Sequence, residues 1–127
     1  MNKDIKEYIE ENLSLLPSDK VLSQVEATKR ASKFLAVISV LAEAKHDLSN
    51  EKIKLQSLFS IANNEALSSA QGSTVGARTA AAEASAPYIE AREALETIEN
   101  NIRYIMTMSE VFLNAHLLLR NIAKESI

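Results

Sequence analysis

The sequence predicts an all-α protein organised as an antiparallel long helical hairpin with a short N-terminal helix. Its 127 residues include only two glycines and two prolines, too few for the many turns of a compact β or mixed domain. In its second half, mostly apolar residues recur at alternating spacings of four and three, the pattern of a helix packed along its length against other helices. This heptad seam comprises Ala84, Tyr88, Ala91, Leu95, Ile98, Ile102, Ile105, Ser109, Phe112, His116, Leu119 and Ala123.

The first predicted helix is short and amphipathic and spans residues 3–16. Pro17 ends it, because proline has no backbone N–H and its ring clashes with the preceding turn. Ser18 or Asp19 is expected to cap the helix that follows. One apolar face supports the assignment, and its members are Ile5, Tyr8, Ile9, Leu13 and Leu16.

The second predicted helix is long and spans residues 19–70, with no glycine or proline inside it. At 1.5 Å per residue it would extend roughly 75 Å, so it either bends near residues 47–50 or forms one arm of an elongated hairpin. We favour a continuous helix, because nothing at that point resembles a capping box. Glu26 and Arg30 are spaced for an i,i+4 ion pair. Apolar residues recur every seven positions at Phe34, Leu41, Leu48, Leu55 and Ala62.

A loop at residues 71–76 separates the two long helices, since it contains both glycines of the chain. Ser73 or Thr74 is expected to cap the third predicted helix, which spans residues 77–124. Pro87 within this span predicts either a kink or a helix that begins near Ser85.

The C-terminal helix is apolar on two faces between residues 102 and 120. One face can pack against the rest of the hairpin, and the other requires a second covering surface. Either a second copy of the chain or the short N-terminal helix can supply it. We expect a homo-oligomer, whose interface residues would be Ile102, Ile105, Met106, Phe112, Leu113, Leu117 and Leu119.

Composition excludes several classes of protein. The chain has no cysteine, which excludes disulfides and thiolate metal sites and favours a reducing cytoplasm. Its charged N-terminus does not resemble a signal peptide. The most apolar stretch, residues 102–119, is interrupted by Arg103 and Glu110, so no membrane span is expected. The formal net charge of −3 argues against non-specific binding of nucleic acid by the whole surface.

No pattern in the sequence predicts an enzyme, a metal site or a cofactor. The two histidines, His46 and His116, lack the further ligands that zinc requires. The segment 72–78 precedes a helix but lacks the Gly-Lys-Ser/Thr of a phosphate-binding loop, and a turn explains it. Glutamates recur every third residue from Glu90 to Glu99, which favours a solvated acidic face over paired acid–base groups.

The long second helix is locally basic. Between Lys20 and Lys54 there are seven Lys/Arg against four Asp/Glu. Repeated in an oligomer, these cations would form a band able to contact phosphates; the alternative is ordinary surface charge paired with the acidic last helix. With Arg78 beyond the loop, the candidate nucleic-acid-binding residues are Lys29, Arg30, Lys33, Lys45, Lys52, Lys54 and Arg78.

Over roughly residues 21–122 this organisation resembles that of the bacteriophage UvsY-type recombination mediators. The shared features are a long basic helix, a short break at Gly72 to Gly76, and a helix that opens with Ala84-Ser85-Ala86 and becomes very apolar toward its end. The resemblance implies an oligomeric protein that binds single-stranded DNA and helps to load a RecA-like recombinase. The chain departs from the family at residues 61–71, where Glu65 is the only charged residue and the family carries basic ones.

Two functions therefore follow from the sequence. The first is a non-enzymatic, oligomeric, single-stranded-DNA-binding recombination accessory protein, located in the cytoplasm (of a host cell, if a phage encodes it) and partnered by a recombinase. The second is a structural or regulatory coiled-coil protein, such as a scaffold, adaptor or inhibitor, that forms the same oligomer without binding nucleic acid.

Overall fold

The computed structural model describes residues 2–17, 22–72 and 74–125, and all regular secondary structure in these ranges is α-helical. The all-α prediction is therefore confirmed. The helices are α1 (Lys3–Leu13), α2 (Gln24–Ser69), α3 (Val75–Glu83) and α4 (Ala86–Glu125).

Helix α1 ends three residues earlier than the pattern predicts. Its N-terminus is capped by Asn2, whose side-chain oxygen accepts a hydrogen bond from the Asp4 N–H at 2.9 Å. After Leu13 the chain tightens, since the Leu15 and Leu16 N–H groups donate to carbonyls only three residues back. Leu16 precedes a proline, which disfavours helical backbone there.

Helix α2 begins later than predicted but runs without interruption through residues 47–50. The expected caps, Ser18 and Asp19, lie outside the described residues. Ser23 caps the helix instead: its Oγ accepts from the Glu26 N–H at 3.1 Å, and its carbonyl accepts from the Ala27 N–H at 2.9 Å. No glycine or proline interrupts the 46 residues that follow, so the backbone hydrogen-bond ladder continues to Ser69.

The third predicted helix is two helices in the structure. Thr74 caps α3, with its Oγ1 accepting from the Ala77 N–H at 3.0 Å. The break falls between Glu83 and Ala86 because Pro87 has no N–H to donate to the carbonyl of Glu83, and its ring would clash with that group. Helix α4 then starts with Pro87 in its first turn, where the missing donor costs nothing.

The chain divides into two compact units, and α2 and α4 contribute to both. Unit 1 is Met1–His46 with Arg103–Ile127, and unit 2 is Asp47–Ile102. Within unit 1 the Phe34 and Phe112 rings lie 5.4 Å apart, and His116 contacts Ala31. The later residue on α2 contacts the earlier residue on α4, so the two helices pack antiparallel within unit 1.

Unit 1 contains most of the buried core. Ten of the twelve buried hydrophobic residues among those described belong to it, including Ile9 of α1. An isolated helix as short as α1 is marginal in water, so packing of Ile9 stabilises it. The ten residues are Ile9, Ala27, Ala31, Phe34, Val37, Leu41, Ile105, Phe112, Ala115 and Leu119.

Unit 2 is more thinly packed. Its α2 and α4 segments are also antiparallel, since Phe59 packs at a tilt against Tyr88 with ring centroids 5.2 Å apart and Lys52, earlier on α2, lies near Glu99, later on α4. Its buried hydrophobic residues among those described are Ala82 and Ile98 only. Large apolar side chains that remain exposed on this unit are Ile53, Leu58, Ile61, Leu67 and Val75.

Candidate nucleic-acid interface and self-association surface

The seven cations predicted to bind nucleic acid are divided between the two units. Unit 1 holds Lys29, Arg30, Lys33 and Lys45, and unit 2 holds Lys52, Lys54 and Arg78.

Arg30 is engaged within unit 1. Its Nε donates to Glu26 Oε1 at 3.0 Å, which confirms the predicted i,i+4 pair, and its Nη1 donates to the Leu15 carbonyl at 3.3 Å. The carbonyl groups that follow the end of a helix attract a cation, so Arg30 joins α2 to the segment after α1. This engagement gives Arg30 a structural role.

In unit 2, Lys52 is engaged by the acidic helix and Lys54 is not. Lys52 Nζ lies 3.6 Å from Glu99 Oε1, and both side chains are about one-third exposed. Lys54 is two residues further on, about 200° around the helix at 100° per residue, so it lies on the opposite face. Arg78 is exposed on α3.

Three exposed lysines remain on α2 in unit 1. Lys29, Lys33 and Lys45 form no ion pair with any described residue. Lys29 and Lys33 are one turn apart on the same face, and Lys45 lies about 120° around the helix from Lys33. Unit 1 carries ten Lys/Arg against nine Asp/Glu, whereas unit 2 carries four against eight. The charge balance therefore favours phosphate contacts on unit 1, with a net charge of +1, over unit 2, with −4.

The residues predicted to form the oligomer interface fall into two groups. Ile105, Phe112 and Leu119 have no exposed surface, because they pack in the core of unit 1, and Ile102 is half-buried. These buried three cannot contact a second copy while unit 1 stays folded. The residues that do present exposed surface are Met106 (47%), Leu113 (44%) and Leu117 (43%).

The exposed three form one continuous stripe, which we call the α4 stripe. Their spacings of seven and four place Met106, Leu113 and Leu117 within about 40° of one another around the helix. Packing of α4 against the rest of unit 1 uses a different side of the helix, so the stripe is accessible in a single chain.

The two histidines of the chain lie in different surroundings. His116 Nδ1 lies 2.7 Å from the Ala31 carbonyl oxygen; because a carbonyl can only accept, Nδ1 is the donor. His46 is exposed. The described residues contain no group of three or more His, Cys, Asp or Glu placed to hold a metal ion.

A shallow groove of about 540 Å³ lies within unit 2, where the end of α2 approaches α3 and the start of α4. Alanine and serine side chains form most of its walls, and Glu65 is the only charged lining residue among those described. The two lining serines, Ser69 and Ser85, donate their hydroxyls to backbone carbonyls, and no histidine, lysine or second carboxyl is among the lining residues that the structure describes. The groove therefore supports no reaction class by itself.

Sequence reasoning missed one surface. Leu58 and Ile61 are more than half exposed on α2 in unit 2, flanked by Lys54 and Glu65. The spacings of four, three and four among these residues are visible in the sequence. The stronger heptad pattern on the neighbouring face obscured this signal.

Comparison of the chain with protein-family models, with curated proteins and with solved structures found no match. None of the helices in the described part of the chain combines the length and apolar character needed to cross a bilayer.

Proposed function

We propose that this protein is a non-enzymatic accessory protein that assembles with copies of itself and binds single-stranded DNA through unit 1. The observation that carries the proposal is the set of exposed lysines on α2, Lys29, Lys33 and Lys45, none of which is engaged by a described acidic group. The sequence resemblance to the UvsY-type mediators supplies the biological setting, in which a recombinase is the protein partner.

Three lysines per chain are too few for tight binding by a single copy. Each phosphate of a single strand that the protein neutralises releases counterions. The logarithm of the binding constant therefore falls with the logarithm of the salt concentration with a slope of about −0.7 per phosphate, so three contacts give a slope of about −2. Assembly would repeat these contacts along one strand and raise the affinity through effective concentration. DNA binding and self-association are therefore linked in this proposal.

The α4 stripe is the proposed self-association surface on unit 1. Met106, Leu113 and Leu117 expose apolar surface on one side of a helix whose opposite side is already packed. Burial of such a surface against an identical one stabilises a symmetric pair. Leu118 is also half exposed, but it lies about 100° or more around the helix from the stripe and is not part of this surface.

A second candidate function is a scaffold, adaptor or inhibitor that forms the same assembly without nucleic acid. The acidic excess of unit 2, with eight Asp/Glu against four Lys/Arg, favours it because negative surface repels phosphates. The internal engagement of Arg30 and Lys52 favours it as well, since it removes two of the seven predicted contacts.

Charge reversal tests the proposal against this alternative. The triple variant K29E/K33E/K45E changes the net charge by −6, and the control K3E/K6E/K124E changes it equally at other exposed lysines of unit 1. Binding of a fluorescent oligothymidylate should fall on the order of 100-fold in the first variant and much less in the control. Equal losses in both variants, or no binding by the wild type at low salt, would reject the lysine site.

A further inference from the structure

One face of α2 in unit 2 is exposed along its length, and its last residue, Glu65, also borders the groove between α2, α3 and α4. It consists of Lys54, Leu58, Ile61 and Glu65, which we call the Lys54–Glu65 face. Leu58 is 58% exposed and Ile61 is 54% exposed, and the two charged residues are exposed as well. At 100° per residue all four lie within about 60° of one another. Phe59, which packs on Tyr88, points about 130° away.

The order of charges makes this face complementary to itself. The basic residue is at one end and the acidic residue at the other, with the two apolar residues evenly placed between them. In an antiparallel pairing about a two-fold axis between Phe59 and Ser60, each Lys54 lies opposite Glu65 of the second copy. Each Leu58 then lies at the level of Ile61 of the second copy. A parallel pairing would instead bring like charges together at both ends, which is unfavourable.

We propose that the Lys54–Glu65 face is an antiparallel self-association site whose occupant is the same face of a second copy. The charge pattern identifies that occupant, since two apolar residues alone would not. Lys54 and Glu65 are eleven positions apart, about 16 Å along the helix, so the two cannot pair within one chain. Neither forms an ion pair with a described residue, so both remain available.

This site extends the self-association proposed above to a second surface, but it depends neither on the α4 stripe nor on DNA. It lies entirely within unit 2, whose thin core leaves apolar side chains exposed. The contact is small, so association through it alone should be weak and concentration-dependent. It also gives Lys54 a partner other than phosphate, which separates that residue from Lys29, Lys33 and Lys45.

A charge-swap series tests the pairing. The single variants K54E and E65K each place like charges opposite one another at both ends, and each should raise the dissociation constant for self-association roughly tenfold. The double variant K54E/E65K restores both pairs, and so does an equimolar mixture of the two single variants. Sedimentation velocity in the L113S/L117S background, without DNA and at low salt, isolates this face from the α4 stripe.

Rescue in the mixture is the decisive outcome, because no change within one chain can produce it. If the mixture associates no better than either single variant, the pairing is wrong. If L113S/L117S does not associate at any concentration, the site is also rejected. Circular dichroism of each variant verifies that these exposed substitutions leave the helices intact.

Cross-linking tests the direction of the pairing, and the absence of native cysteine makes it specific. A mixture of K54C and E65C chains should form a disulfide-linked pair under mild oxidation, since these positions are opposite in the antiparallel arrangement and the other end keeps its ion pair. K54C alone should not cross-link, because its two cysteines would lie about 16 Å apart. Efficient cross-linking of K54C with itself would overturn the antiparallel arrangement.

Discussion

Replacement of Phe112 by alanine should destabilise unit 1 rather than simply dissociate an oligomer. Phe112 has no exposed surface, and its ring packs at a tilt against the Phe34 ring with the centroids 5.4 Å apart. Removal of a fully buried phenylalanine side chain costs about 3–5 kcal/mol in transfer and cavity free energy. Since a domain of this size is stabilised by about 5–15 kcal/mol, we expect a large loss of stability at every protein concentration.

Leu117→Ala is the matched control, because Leu117 is in the same part of α4 but lies on the exposed α4 stripe and not on the buried seam. Its effect on the stability of the monomer should stay within about 0.5 kcal/mol, whereas the mass of the assembly should fall. The assay is urea unfolding followed by circular dichroism at several protein concentrations, since oligomerisation makes apparent stability concentration-dependent.

The opposite result for Phe112 would refute its assignment to the core of unit 1. If F112A kept its unfolding midpoint at low concentration but lost self-association, Phe112 would be an intersubunit residue and the core of unit 1 would be described incorrectly. A double-mutant cycle with Phe34 should give a coupling free energy of about 0.5–1.5 kcal/mol for the ring pair. A coupling near zero would contradict the contact.

Two further predictions concern stability. A Cβ at Gly72 would lie 2.9 Å from the Ala77 Cβ and 3.1 Å from the Arg78 backbone nitrogen, whereas nothing lies within 4 Å of a Cβ at Gly76. G72A should therefore destabilise the protein by about 1–3 kcal/mol, and G76A should stabilise it by about 0.5 kcal/mol. Equal thermal-unfolding midpoints for the two variants would contradict this. Asn12 is 2% exposed; its Nδ2 donates to the Tyr8 carbonyl at 2.8 Å, but its Oδ1 accepts no hydrogen bond from a described residue. Because a buried unpaired oxygen costs more than that one bond contributes, N12L should raise the free energy of unfolding by about 1 kcal/mol. A lower free energy of unfolding in chemical denaturation would show that the bond to Tyr8 outweighs the unpaired oxygen.

The fold class and the main contact face could be predicted from the sequence for a simple reason. Helix breakers are scarce, and the seam residues Ile98, Ile105, Phe112 and Leu119, spaced seven apart, are all buried. Such local periodicity reports which side of a helix is covered. It does not report what covers it, so the pattern grouped Phe112 of the core with Leu117 of the surface as one interface.

The candidate site was less predictable because pairing between helices is non-local. Glu26 and Arg30 are one turn apart, and their contact follows from spacing alone. The Lys52–Glu99 pair and the bond from Arg30 to the Leu15 carbonyl join distant parts of the sequence. Only the folded units show which lysines remain unpaired, and only they show that Leu58 and Ile61 are exposed.

Light scattering after size exclusion, with and without a fluorescent oligothymidylate at low and high salt, decides whether an assembly of this chain holds single-stranded DNA by phosphate contacts on unit 1. We expect a discrete oligomer that carries the oligonucleotide at low salt and releases it at high salt. A monomer, or an oligomer that never takes up the oligonucleotide, would overturn the proposal, and the second result would favour a scaffold or adaptor.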